Sequence, residues 1–264
     1  MSTLTTSETQ PQSRILVTGG TSGIGLAAAL QLANAGPSRI VINGRNEERG
    51  ENARLSLSAQ APHAAVCFIA ADVSTIAGAK LLIQQGSDFL GGPIDVLVNS
   101  AGGEFGPKLF HDLSLEEADG IIAHWLMATI YCCSLAYPLM TDGGAIVNVA
   151  SDAAKVATPG EAVPGAAMAG ISMFTRTLAM EAKRRRIRVN AVTPSLVRNT
   201  LTYSRITAEG FSAKLFAKAS AAAHLGVPEP EDVAAVIAFL ASKKAARLTG
   251  QIISVNGGIS AGIG

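Results

Sequence analysis

The segment Thr18-Gly19-Gly20-Thr21-Ser22-Gly23-Ile24-Gly25 lies between a β-branched run and an Ala-rich stretch. That context, strand then glycine-rich turn then helix, is what a phosphate-binding turn requires. Gly19 permits the tight turn, Gly23 lets backbone approach a pyrophosphate, and Gly25 lets the helix pack close to the strand. The helix start supplies free N–H groups and the positive end of a dipole. About 20 residues further on, an acid normally accepts hydrogen bonds from the adenosine ribose of NAD. Gly44 and Arg45 stand there instead. A guanidinium pairs with a 2′-phosphate, so the pattern predicts NADP(H) in preference to NAD(H).

Side chains for proton transfer are fewer. Ser151 is followed by Asp152, Lys155 and Glu161, all read as solvated loop charges. Of the three tyrosines, Tyr131 and Tyr137 sit on an apolar helical stretch and are expected to pack. Tyr203, in a long late segment, is a catalytic candidate. His124 is expected to be satisfied structurally. The four histidines form no HExxH pair and Cys67, Cys132 and Cys133 form no CxxC, so no metal site and no disulfide framework are expected.

These residues need a scaffold. The chain has 264 residues, 48% hydrophobic and only 16% charged, which excludes a disordered chain and suggests helices buried on more than one face. A net charge of +1 gives no field for nucleic acid or an anionic membrane, and the run Lys183–Arg188 reads as a helix end. Residues 1–12 lack an apolar signal-type core and are expected to form a disordered tail, with the cytoplasm as the default compartment. Residues 121–140 are long and apolar enough to span a membrane, but His124, Thr129, Ser134 and Pro138 interrupt them. A helix between a sheet and a partner subunit is expected there.

Strands are expected at 14–18, 39–43, 65–70, 94–99, 145–150, 187–192 and 251–255. Helices are expected at 23–35, 47–59, 76–89, 115–139, 166–184 and 231–242. This alternation of near-continuous apolar strands with helices predicts an α/β fold with a parallel sheet covered on both faces. Residues 13–264 read as one domain, with a lid at about 194–230 that includes a helical run at 213–224.

The spacing TGxxxGIG at Thr18–Gly25, with Asn99-Ser100-Ala101-Gly102, resembles the short-chain dehydrogenase/reductase family. Asp72-Val73, Ile146–Ser151, Arg188–Pro194, Thr249–Gln251 and Asn256–Gly258 extend the match over nearly the whole chain. Ala150–Val163 looks like bacterial members such as 3-oxoacyl-ACP reductases and 2-hydroxycyclohexanecarboxyl-CoA dehydrogenases. The resemblance implies a Rossmann-type doubly wound seven-stranded sheet, order 3-2-1-4-5-6-7, and commonly a tetramer. It implies that Asp72 and Val73 flank the adenine, that Asn99 supports the strand and that Ala101 and Gly102 line the cofactor. Pro194, Asn199 and Thr200 would stand near the carboxamide.

The same resemblance implies Ser, Tyr and Lys as catalytic groups, with Tyr 13 residues after Ser and Lys four after Tyr. Ser151 is present, but Pro164 and Met168 occupy the other two positions, and Trp125 takes the place of a helix Asn. Proline has nothing to titrate and methionine carries no charge. Three readings follow. The first is an atypical oxidoreductase acting on a carbonyl or hydroxyl group of an apolar small molecule. The second is a non-redox dehydratase, isomerase or cyclase on the same scaffold. The third is an inactive subunit or cofactor sensor, as a homodimer, a homotetramer or a mixed oligomer with an active relative.

Overall fold

A computed structural model describes residues 12–103, 105–208 and 210–261. β1 (Ser13–Thr18), β2 (Ser38–Gly44), β3 (Ala64–Ala70), β4 (Ile94–Asn99), β5 (Met140–Val149), β6 (Arg188–Pro194) and β7 (Ile252–Val255) form one sheet in the order β3-β2-β1-β4-β5-β6-β7. Every pairing is parallel. This is the doubly wound Rossmann-type arrangement, and the strand order reverses direction of growth between β1 and β4.

The strands build two cores because successive side chains point to opposite faces. Ile15 and Val17 of β1 pack with α1 (Gly23–Asn34), α2 (Glu47–Gln60) and α9 (Pro230–Ala241). Leu16, between them, packs with α3 (Ile76–Leu90), α5 (Ala128–Ala136) and α6 (Ala162–Ala182) on the other side. Leu16, Ile40, Leu97 and Ile146 are wholly buried, each worth roughly 1.5–3 kcal/mol against exposure. Local signals start and stop the helices. Asn46 Oδ1 accepts from Arg49 N at 2.7 Å to cap α2, and Thr75 Oγ1 accepts from Gly78 N at 3.0 Å to cap α3. Gly91, at φ +67°, ends α3 in a conformation that favours glycine.

The long apolar stretch is α4 (Leu115–Ile122), a π-helical turn at Ala123–Met127, α5 and a 3₁₀ turn at Tyr137–Leu139. It passes the length and hydropathy test for a membrane span. Ala128, Thr129, Cys132, Cys133 and Ala136 are nevertheless buried, and the two alanines and two cysteines among them pack into the second core, so it serves as a covering helix. The basic run forms a 3₁₀ turn after α6. There Arg185 donates to the carbonyls of Tyr137 at 2.7 Å and Met140 at 2.6 Å.

Two local expectations are corrected. The helix expected from 166 begins at Ala162, because Pro164 falls within the first turn, where the missing N–H would have no intrahelical partner. The helical run expected at 213–224 is α8 (Gly210–Ala222), and a second helix, α7 (Leu201–Ala208), precedes it. The tail expected at 1–12 lies outside the described residues except for Gln12, whose side-chain amide donates to Ser38 O at 3.3 Å.

A buried polar chain ties the sheet to α6 behind the strand ends. Asn99 Nδ2 donates to Asn148 Oδ1 at 2.9 Å, and Asn148 Nδ2 donates to Thr175 Oγ1 at 2.9 Å. Asn148→Ala takes from the buried Thr175 hydroxyl its Asn148 donor and leaves Asn99 Nδ2 with only its bond to Cys133 Sγ. Urea unfolding should show about 1–3 kcal/mol lost, with a lower midpoint and an unchanged slope.

Candidate functional site

The C-terminal ends of β1, β2, β4, β5 and β6 open into a cavity of about 620 Å³. A ligand crevice is expected at this place in an open α/β sheet, where the strand order switches. Its floor is the β1–α1 turn. A Cβ on Gly19 would stand 2.4 Å from Ser100 O, and one on Gly25 would stand 2.3 Å from Gly19 O. Gly19 and Gly23 also take φ +64° and +51°. Thr18 Oγ1 accepts from Ser100 N at 3.1 Å and Ala101 N at 3.2 Å, which joins this turn to the β4 loop. The α1 start carries no side-chain cap, unlike α2 and α3, so first-turn N–H groups remain for a ligand.

Beyond the turn, a side chain at Gly44 would meet Thr21 Oγ1 at 2.7 Å, so a carboxylate does not fit there. Arg45 and Arg49 both line this end of the cavity. Arg49 Nε is buried without a hydrogen-bond partner among the described residues, an unused donor at the place where a ribose phosphate would lie. Arg49 was missed in the sequence; it follows Arg45 by four residues and opens α2, a spacing that would have signalled it. Arg45 Nη1 lies 3.2 Å from His124 Nε2, and His124 Nδ1 lies 2.8 Å from Gly120 O. Burial of Asp72 is outweighed by hydrogen bonds from the Ser74 hydroxyl and amide and by the charges of His124 and Arg45, which hold its carboxyl below the usual range.

Of the residues predicted for the cofactor, Gly19, Thr21, Ser22, Gly23, Ile24, Gly25, Arg45, Asp72, Val73, Ala101, Gly102, Pro194 and Thr200 all line the cavity. Thr18 and Asn99 stand behind it, buried, the first holding the β4 loop and the second in the polar chain. Asn199, at φ +56°, is exposed at the turn before α7, so it does not reach the wall.

The other end is lined by Ser151, Pro164, Met168, Trp125 and Tyr203. Trp125 projects from the π-helical turn, a distortion frequent at functional sites, and meets Phe105 edge-on at 6.1 Å. Met168 is 8% exposed and packs with Ala150, Ile171, Trp125 and Leu126. Ser151 Oγ accepts from Ala153 N at 3.3 Å.

Asp152 and Glu161 are not solvated loop charges. Asp152 is 5% exposed, and its Oδ2 accepts from Asn256 Nδ2 at 2.5 Å. Glu161 is half-buried, and burial together with the charge of Asp152 pushes its carboxyl up against a hydrogen bond with Thr158. Lys155 points away from the cavity, donating to Ser254 Oγ at 2.5 Å. The apolar loop sequence hid these positions, because a buried carboxyl leaves no local signature.

The sequence profile of a family described as enoyl-(acyl carrier protein) reductase matches residues 19–260. The 3-oxoacyl-[acyl-carrier-protein] reductase of Chlamydia pneumoniae is 34% identical, over 94% of this chain and 96% of that protein. The 7α-hydroxysteroid dehydrogenase of Bacteroides fragilis is 33% identical, over 93% of each. A short-chain dehydrogenase from Burkholderia cenocepacia, solved in complex with NADP, superposes with a TM-score of 0.85 at 28% identity, covering 94% of this chain and 98% of that one. The chain therefore belongs to the short-chain dehydrogenase/reductase family of oxidoreductases.

A raised carboxyl pKa destabilises the fold above it. Between the unfolded pKa and the higher folded pKa of Glu161 the native state binds more protons, so stability falls as pH rises through that window. Glu161→Gln should raise Tm at pH 7.5, by about 2–4 °C per kcal/mol relieved. The gain should vanish below pH ~4, and thermal unfolding at the two pH values checks it.

Proposed function

We propose that this protein is an NADP(H)-binding oxidoreductase acting on an apolar small molecule at the carbonyl oxidation level, with a reaction centre that lacks the family's Tyr–Lys pair. The observation that carries the cofactor reading is the unpartnered Arg49 Nε beside Arg45 and the side-chain-free Gly44. A 2′-phosphate satisfies that donor, whereas a bare ribose hydroxyl leaves it unpaired. When bound, the cofactor supplies a hydride. The β1–α1 turn would hold its pyrophosphate, Asp72 and Val73 its adenine, and Ala101, Gly102, Pro194 and Thr200 its nicotinamide half.

At the reaction centre the chain's residues position and exclude water more than they move protons. Ser151 offers one hydroxyl to a polar group on the substrate. Pro164 and Met168 present apolar surface where a proton donor and a cation would act, and Trp125 and Phe105 close one side. α7 and α8 form a lid whose Tyr203, Ile206, Leu215 and Phe216 complete an apolar wall. Tyr203 is the remaining hydroxyl there; its N–H donates to Thr200 Oγ1 at 3.1 Å, which fixes the start of α7. The same loss of proton-transfer groups supports a second reading, a non-redox enzyme or an inactive partner subunit on this scaffold.

The long apolar stretch expected against a partner subunit leaves Leu115 and Leu139 exposed, and α6 leaves Met173 and Met180 exposed, which supports a homodimer or homotetramer. The three cysteines are free thiols, as suits a reducing cytoplasm.

Arg45→Ala and Arg49→Ala should each weaken NADPH binding roughly tenfold or more and leave NADH binding unchanged, since each removes a charge-assisted bond to phosphate alone. Quenching of Trp125, the single tryptophan, reports both. Equal losses for the two cofactors would refute the assignment. Pro164→Tyr with Met168→Lys should raise NADPH-dependent reduction of acetoacetyl-CoA by about 10²–10⁴-fold, the usual worth of general acid–base help. No gain, with NADPH still bound, would favour the non-redox reading.

A further inference from the structure

The charges of the cavity are unevenly placed. Its basic side chains come from the β2–α2 turn, Arg45 and Arg49, and from the lid, Arg205 and Lys218. The β5–α6 loop and α6, which form the reaction-centre wall, contribute two carboxyl groups, Asp152 and Glu161, and no cation. Lys155, the one cation of that loop, is engaged elsewhere: it donates to Ser254 Oγ and lies 4.0 Å from Asp152 Oδ1. Asp152 is further held by Asn256, so its charge is partly answered from within the protein. Among the described residues, the Glu161 carboxyl is answered by a hydrogen bond with Thr158, and the charge that acts on it is the like charge of Asp152. The aromatic surface of Trp125 and the sulfur and methylenes of Met168 complete the wall.

We propose that this wall binds an apolar organic cation, of the cyclic iminium or protonated imine class, with Glu161 as its counter-charge and Trp125 as its aromatic face. This rests on the reading of the groove as an NADP(H) site and names the substrate class of that same cavity. A cation over an indole gains about 0.5–2 kcal/mol, more as water is excluded. A carboxylate beside it supplies the opposite charge, and Lys155, held by Ser254, does not take up that carboxylate. A lysine in place of Met168 would repel such a ligand at close range in a poorly solvated pocket. The burial that holds the Glu161 carboxyl up is offset once a cation lies beside it.

The absent proton donor fits the same ligand. Hydride addition to a C=O carbon leaves an alkoxide that must be protonated. Hydride addition to a C=N⁺ carbon moves the π pair onto nitrogen and yields a neutral amine, so no proton changes hands in the step. The hydride and both electrons come from the dihydronicotinamide, which is left oxidised. Pro164, inert as an acid, is then no obstacle at the reacting carbon.

The test uses two probes of one bicyclic skeleton: N-methyl-3,4-dihydroisoquinolinium, a permanent cation, and 1-tetralone, its neutral ketone counterpart. Calorimetric titration of the full chain saturated with NADP⁺ should show the cation binding at least tenfold more tightly. Glu161→Gln should reduce cation affinity about tenfold and leave tetralone unchanged, and Met168→Lys should weaken the cation in the same way. NADPH oxidation should be at least tenfold faster with 3,4-dihydroisoquinoline than with tetralone. Equal binding of the two probes, binding of neither, or a cation preference that survives Glu161→Gln overturns the proposal. Titration with NADPH alone separates the failures: no NADPH binding defeats the cofactor reading, while NADPH binding without cation preference defeats this inference only.

Discussion

The structure turns on a backbone contact that leaves no room for a side chain. Gly19 lies against the Ser100 carbonyl, and Gly25 lies against the carbonyl of Gly19. The Thr18 hydroxyl fixes the β4 loop to the same turn by two hydrogen bonds. Everything that shapes the groove follows from this closeness. It brings the start of α1 to the strand end, sets the gap between the turn and the β4 loop, and determines which residues of β2 can reach a ligand lying across them. A methyl group at either glycine would collide with backbone, which cannot yield as a flexible side chain can.

The two ends of the cavity obey different electrostatics. One has an uncapped helix start, two guanidinium groups and an unused donor, an environment made for anionic phosphate. The other has an aromatic wall, a methionine, a proline and two carboxyls. Pro164 and Met168 carry no charge, so Asp152 and Glu161 are the acidic groups of that wall. Fold and family do not fix the reaction; what this chemistry tolerates at the reacting carbon does.

The sheet was legible in the sequence because its signal is redundant. The strands are near-continuous apolar runs, several of them followed by a glycine or proline turn, and burial on both faces makes that pattern hard to mistake. The start of α6 was less legible, since Pro164 suggested a later beginning and only the position of the unpaired first-turn donors allows it at the third residue. α7 was missed because Thr200–Ser204 is β-branched and polar, and its helix owes its form to packing of Tyr203 and Ile206 against Leu196 and α8. At the site, the glycines and Arg45 could be read from spacing alone. Glu161 could not be weighed from type alone, because its meaning comes from its burial in the fold.

The central claim is a working NADP(H) groove joined to a reaction centre without its proton donor. Calorimetric titration of the unmodified protein with NADPH and with NADH tests it most directly. The account predicts one site per chain, with NADPH bound at least tenfold more tightly, a difference of about 1.4 kcal/mol. Tighter binding of NADH, or heat from neither cofactor, would contradict it.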